Sequence, residues 1–240
     1  MMLACLLVSH GSRDPRPGVA MQQLANLVIE QTQNLGTGII VGTACLELNP
    51  EPLHEQIIKF VRNFCSCEKI HLKVVPLFLL PGVHVMDDIP TEVALARQAL
   101  GQDILIELQP YLGSHPGLEW LLANQFATAT TTTARILITH GSRRLGSQTP
   151  VEAIAKNLGA VTAYWSVPPS LEFQVKELMK LGHKQIAILP YFLFAGGITD
   201  AIAQVTEKLQ LQFPDVDLQL AKPLGASAEL ADLVWDLIKE

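Results

Sequence analysis

The sequence predicts an α/β protein of two doubly wound domains in tandem, and three observations carry that expectation. Apolar runs of strand length alternate with amphipathic runs of helix length along the chain. The strand-length runs are almost continuously apolar, as parallel strands are when helices cover both faces of their sheet. One block is also written twice: Leu6-Leu-Val-Ser-His-Gly-Ser-Arg13 returns as Ile136-Leu-Ile-Thr-His-Gly-Ser-Arg143. A length of 240 residues suits two domains of about 120 residues each.

In chain order, the first half reads as strand 3–9, helix 18–34, strand 38–46, helix 51–64, strand 70–79, helix 90–100, strand 103–108 and helix 116–126. Asp87 and Asp88, ahead of Ile89-Pro90, read as residues that start the third helix. The second half repeats the order, with strands 135–139, 160–165, 185–193 and 216–221 and helices near 150–158, 169–181, 199–211 and 227–239. Four βα units per half fit a flavodoxin-like domain, a four-stranded parallel sheet with helices on both faces, better than half of an eight-fold barrel. Smaller echoes extend the repeat: Thr43-Ala44 with Thr162-Ala163, Pro76 to Gly82 with Pro190 to Gly196, and Leu112-Gly113 with Leu224-Gly225. The Ala- and Thr-rich stretch 123–134 reads as a linker, which sets the expected domains at 1–122 and 135–240.

Composition narrows the function classes. Apolar residues make up 49% and charged residues 17%, enough to bury two cores and too apolar for intrinsic disorder. A net charge of −6 argues against a nucleic-acid or membrane-surface partner. The N-terminal run lacks a basic region and a cleavage pattern, and no stretch is long and apolar enough to span a bilayer. Cys5, Cys45, Cys65 and Cys67 show no secreted disulfide spacing, which points to the reducing cytoplasm. The Cys65-Ser66-Cys67 pair alone is too weak a pattern to assign a metal.

Chemistry is expected where parallel strands end, because ligands bind outside their carboxyl ends. His10 follows the first strand, Glu47 the second and His84 the third. Three metal-capable or proton-carrying groups, far apart in sequence, are therefore expected on one rim. Gly11 and Ser12 offer backbone N–H groups to an anion, and Arg13 and Arg16 offer guanidinium groups. Arg143 and Arg144 could do the same from the second half.

With these residues in place, the chain resembles the sirohydrochlorin chelatases of the CbiX and SirB type, which are class II tetrapyrrole chelatases. Three motifs carry the resemblance: Ser9-His-Gly-Ser-Arg13, Cys45-Leu-Glu-Leu48, and Pro76-Leu-Phe-Leu-Leu-Pro-Gly-Val-His-Val85 with Asp87-Asp-Ile-Pro90. It covers essentially the whole chain as a fused two-domain form. It implies that His10 and His84 are paired active-site histidines with Glu47 as their acidic partner, all three serving as catalytic and metal-binding groups. The implied substrates are a divalent ion, Fe²⁺ or Co²⁺ with Ni²⁺ also fitting the donors, and sirohydrochlorin, a polycarboxylate tetrapyrrole. The products belong to sirohaem or cobalamin biosynthesis. Gly11, Ser12, Arg13, Arg16 and His140 are the residues expected to meet the tetrapyrrole. No organic cofactor is expected, and the chain is expected to act as a monomer with an internal pseudo-dimer.

The two copies differ where it matters. His140 repeats His10, but Ser166 stands in place of Glu47 and Ile198 in place of His84. The first half is thus expected to hold the active centre and the second to form the opposite wall of a cleft. Residue types alone leave open which histidine binds metal, which accepts protons, and what His140 does. Two other functions share parts of this pattern. A histidine phosphatase would place Arg before the histidine, where Ser9 and Thr139 stand. A tetrapyrrole or metal carrier would use the same His10 and His84 without inserting the ion. His54, His71, His115 and His183 read as surface residues, and Trp165, Phe192 and Phe194 as packing residues.

Overall fold

The computed structural model describes residues 2–34, 36–63, 70–101, 104–126, 134–143 and 146–239. Cys65, Cys67, Arg144 and most of the expected linker lie outside the described residues. The element order is β1 (Met2–Ser9), α1 (Pro15–Asn34), β2 (Ile40–Cys45), α2 (Leu53–Asn63), β3 (Ile70–Pro76), α3 (Ile89–Leu100), β4 (Ile104–Leu108) and α4 (Gly117–Phe126). It continues with β5 (Ala134–Thr139), α5 (Thr149–Asn157), β6 (Val161–Tyr164), α6 (Leu171–Lys180), β7 (Gln185–Pro190), α7 (Gly197–Gln212), β8 (Asp217–Leu220) and α8 (Ala228–Lys239). A π-helical turn, His84–Asp88, precedes α3, and a 3₁₀ turn, Leu112–Ser114, follows β4.

Two four-stranded parallel sheets result, in the orders β2-β1-β3-β4 and β6-β5-β7-β8. The sequence predicts this architecture, and the order is the doubly wound one, with the first strand inside the sheet. In the first sheet, Ala4, Leu6, Val8, Ile70, Leu72 and Val74 form one face, packed with Leu53, Ile57 and Val61 of α2 and Ile89, Val93 and Ala96 of α3. Cys5, Leu7 and Val75 alternate to the other face and are fully buried too. In the second sheet, Ile136, Ile138, Ile186 and Ile188 pack with α6 and α7.

The compact units differ from the expected boundaries. One comprises Met1–Leu118 together with Ala226–Glu240, the other Glu119–Gly225. Helix α8, expected with the second domain, belongs to the first: it packs along α1 and against β3, with Leu230, Val234, Leu237 and Ile238 buried. Asp232 accepts a hydrogen bond from Gln31, and Asp236 lies 3.7 Å from His115. Most of α4 goes the other way. Glu119 accepts from Asn157, and the guanidinium of Arg135 sits 5.3 Å from the centre of the Phe126 ring. Residues 123–126, expected in the linker, are the last turn of that helix.

The place of α8 has a measurable consequence. Leu230→Ala removes a fully buried side chain and is expected to cost about 2–5 kcal/mol. Hydrogen exchange should quicken in α1 and β3 and stay unchanged in β5 to β8. Faster exchange in the second sheet instead would place α8 with the wrong unit.

Candidate metal centre

The site is assembled by backbone geometry at the ends of β1, β2 and β3. Pairing of β1 with β2 continues past the strands: Leu46 N–H donates to the Ser9 carbonyl and Glu47 N–H to the His10 carbonyl, both at 2.8 Å. Gly11 makes that closeness feasible. Its φ is +99°, and a Cβ on it would lie 2.1 Å from the Glu47 carbonyl oxygen. Only glycine meets both demands. On the other side of β1, Leu77 N–H donates to the Val8 carbonyl at 2.7 Å, and the chain then runs into the π-helical turn that begins with His84. Pro90 has no N–H for the carbonyl of Met86 four residues back, so the α-helical ladder cannot continue through this turn. The turn closes instead with the wider bond from Ile89 N–H to the His84 carbonyl.

These constraints bring His10, Glu47 and His84 together. One donor atom from each lies within 4.8 Å of the others. Glu47 is the hub: its Oε2 is 3.7 Å from His10 Nε2, and its Oε1 is 3.8 Å from His84 Nε2. The imidazoles meet edge to face, centroids 4.9 Å apart at 84°. Two donors each about 2.1 Å from one ion are at most about 4.2 Å apart, so a modest ring rotation lets all three reach a shared cation. The side chains of His10 and Glu47 are half exposed, at 51% and 50%, and that of His84 is 32% exposed. The cluster is open to solvent on one side.

The sequence assigns Asp88 only to the start of a helix. It does occupy the N-cap position of α3, but its side chain caps nothing. It turns back to His84, with Oδ2 2.7 Å from Nδ1. A carboxylate only accepts, so the hydrogen of this contact sits on Nδ1, and Nε2 is the ring nitrogen on the Glu47 side. The His84-x-x-x-Asp88 spacing was the signal available in the sequence. His10 has no comparable support, as its Nδ1 lies 3.4 Å from the Gly11 carbonyl.

The other expected ligand residues fall around this cluster unevenly. Helix α1 begins at Pro15, so Gly11 and Ser12 sit ahead of it rather than in its first turn. The Ser12 hydroxyl accepts the Asp14 N–H at 3.0 Å. Arg16 is held by Asp14 through Nε and Nη2, and this pairing keeps the Asp14 carboxyl below its ordinary pKa. Arg13, three residues after His10, is exposed. His71 and His115, expected on the surface, are tucked in against Glu107 and Asp236, whereas Trp165, expected in the core, is 40% exposed.

In the second unit the same rim is built without the same groups. Trp165 and Ser166 donate backbone N–H groups to the carbonyls of Thr139 and His140 at 2.9 Å, repeating the first copy. The Ser166 hydroxyl is spent on the His140 and Gly141 carbonyls. His140 Nδ1 points at the Gly141 carbonyl, 2.8 Å away, and Ile198 packs against the apolar core. Among the described residues, the His10, Glu47 and His84 group is the one cluster able to hold a metal ion.

A family model described as CbiX matches residues 4–129 and again 134–240. The chain belongs to the CbiX family. The two matches fall on the two sequence repeats. A sirohydrochlorin cobaltochelatase of Priestia megaterium is 23% identical over 253 aligned residues, covering 100% of this chain and 80% of that protein. A chloroplastic sirohydrochlorin ferrochelatase of Arabidopsis thaliana is 32% identical over 114 residues, covering 43% of this chain and 50% of that protein. Among solved structures, the sirohydrochlorin chelatase SirB of Bacillus subtilis subspecies spizizenii in complex with cobalt superposes with a TM-score of 0.73. The identity is 21%, over 100% of this chain and 95% of that one.

Gly11→Ala tests how the CbiX-type rim is built. The new methyl group would collide with the Glu47 backbone at a positive φ, so stability should fall by at least about 1 kcal/mol in a denaturant titration. Cobalt affinity should fall with it; an unaltered affinity would show that Gly11 does not hold Glu47 in place.

Proposed function

We propose that this protein is a sirohydrochlorin chelatase that inserts Fe²⁺ or Co²⁺ into the tetrapyrrole, in sirohaem or cobalamin biosynthesis. The observation that carries the reading is the convergence of His10, Glu47 and His84 from three strand ends within 4.8 Å. The names of the relatives supply the substrate. Both ions take the same imidazole and carboxylate ligands, so the donor set selects neither.

The reaction exchanges one divalent ion for two pyrrole protons, without electron transfer. The ion must shed water, be held briefly and be released to the ring. Three protein donors and an open side suit this better than a closed four-ligand cage. His84, fixed by Asp88, is assigned as the anchoring metal donor, with His10 and Glu47 as the donors that let go as the ion passes to the ring. His10 and Glu47, both half exposed, are assigned to pass the displaced protons to solvent, with Glu47 also balancing the charge of the ion. Arg13 is the preferred partner for a substrate carboxylate, because the guanidinium of Arg16 is already engaged by Asp14.

Anaerobic Fe²⁺ or Co²⁺ with sirohydrochlorin, followed by the visible spectrum, should show insertion well above the spontaneous rate. Binding without acceleration would make the protein a carrier. His84→Ala is expected to lower turnover by about two orders of magnitude or more, and His140→Ala to leave most of it. Equal losses would give the second unit a chemical role of its own.

Asp88 is assigned as a positioning residue. Asp88→Ala should weaken Co²⁺ binding about 10- to 100-fold with little change in the KM for the tetrapyrrole. Asp88→Asn, which keeps an acceptor for Nδ1–H, should recover part of the loss. Unchanged cobalt affinity in Asp88→Ala would remove the residue from the site.

A further inference from the structure

Leu48, the residue after Glu47, combines two unfavourable features. Its φ is +58°, and it is the one non-glycine with positive φ among the described residues. That conformation crowds a Cβ against the following carbonyl oxygen. The residue is also 56% exposed, which leaves aliphatic surface in water. The turn could have used a more tolerant residue, since Asn49 is next in line and asparagine enters the left-handed region far more readily than leucine. Here the Asn49 side chain instead accepts the Glu51 N–H.

The second repeat shows that the rim does not require this arrangement. Val167 follows Ser166 as Leu48 follows Glu47. Val167 has no positive φ and folds inward, its Cγ2 lying 2.8 Å from where a Cβ on Gly141 would be. The atoms nearest the same point on Gly11 belong to Glu47 and Cys45, not to Leu48. The apolar residue is thus half-buried against Gly141 in the second copy and exposed in the copy that carries His10, Glu47 and His84. Two more aliphatic residues protrude around His84: Val83, 47% exposed, and Met86, 62% exposed.

Backbone strain kept beside a cluster of chemical groups points to function. An ion reaches the centre of a planar macrocycle only if the face of the ring comes within bonding reach of the donor atoms. Protruding neighbours of those donors then meet the apolar face, while the ring's carboxylates lie at its periphery. We propose that Leu48 is a substrate-contacting residue whose strained turn presents its isobutyl group to the face of a tetrapyrrole bound over His10, Glu47 and His84. This rests on the chelatase reading, and it adds a determinant of affinity for the ring rather than for the metal.

Leu48→Gly separates strain from contact, because glycine adopts the same φ without penalty and has no side chain to offer. Three quantities are to be measured: the thermal midpoint, Co²⁺ affinity without tetrapyrrole, and affinity for metal-free sirohydrochlorin by fluorescence titration. The expected result is an unchanged or raised midpoint, unchanged cobalt affinity and tetrapyrrole affinity lower by about tenfold, the effect of removing a buried leucine side chain. Leu48→Met should restore most of that affinity. Tetrapyrrole affinity within twofold of the parent in Leu48→Gly would overturn the proposal and leave Leu48 as a turn residue only. Insertion by the parent protein is assayed in parallel. If it binds the ring without inserting metal, the chelatase reading fails while the Leu48 contact stands or falls on the titration. If it does not bind the ring, both fail.

Discussion

Two hydrogen bonds made at the ends of β1 and β2 set the distance on which the centre depends. Leu46 and Glu47, past the end of β2, pair with Ser9 and His10 at the end of β1, and Gly11 lets the two chains come that close. The Glu47 carboxylate is thereby carried on the strand next to His10. His84 arrives from the other side of β1, on a turn widened ahead of Pro90. A central strand flanked by two parallel neighbours is what allows groups from residues 10, 47 and 84 to meet, since parallel strands send all their ends to one edge.

The second repeat is an internal control on this geometry. It keeps the extended pairing, with Trp165 and Ser166 bonded to Thr139 and His140, and it keeps a glycine with positive φ at residue 141. The backbone frame therefore persists without the chemistry. Ser166 satisfies its hydroxyl on neighbouring carbonyls, His140 points at a backbone carbonyl, and Ile198 joins the core. What distinguishes the first copy is that the Nε2 atoms of His10 and His84 face the Glu47 carboxylate at a half-exposed rim, where the second copy has a serine bonded to backbone carbonyls and an isoleucine in the core.

The fold was legible in the sequence because its strands are apolar enough to be buried on both faces and its repeat fixes the period. The edges were legible to within a few residues; the strands expected at 70–79 and 185–193 end at Pro76 and Pro190, where the apolar run continues into the following loop. The partition of helices was not. Both α4 and α8 follow a fourth strand and carry apolar stripes, and nothing in their local pattern says which sheet each will cover. Within the site, His10, Glu47 and His84 were legible from their places after strands. Asp88 was hidden because an acidic residue before Ile-Pro is equally what a helix start requires. Only the side-chain direction separates a cap from a histidine support. Leu48 was hidden for a related reason: its character lies in a backbone angle, and leucine in sequence suggests burial rather than a strained turn.

The three donors are also supported unequally, and this bears on how such a centre can release its ion. His84 is oriented by a 2.7 Å contact to Asp88 and is the least exposed of the three. His10 has one long contact, and Glu47 stands at the hub with half its surface in solvent. A site with every donor braced in this way would hold a divalent ion tightly, because oriented ligands lose little entropy on binding. A site with none would bind it too weakly to displace its water. One braced imidazole beside two adjustable groups lies between these limits. On the proposed reading it would keep a cation near the rim while leaving two of its three contacts free to be replaced by ring nitrogens. On this view the long contact at His10 is as much a part of the centre as the short one at His84.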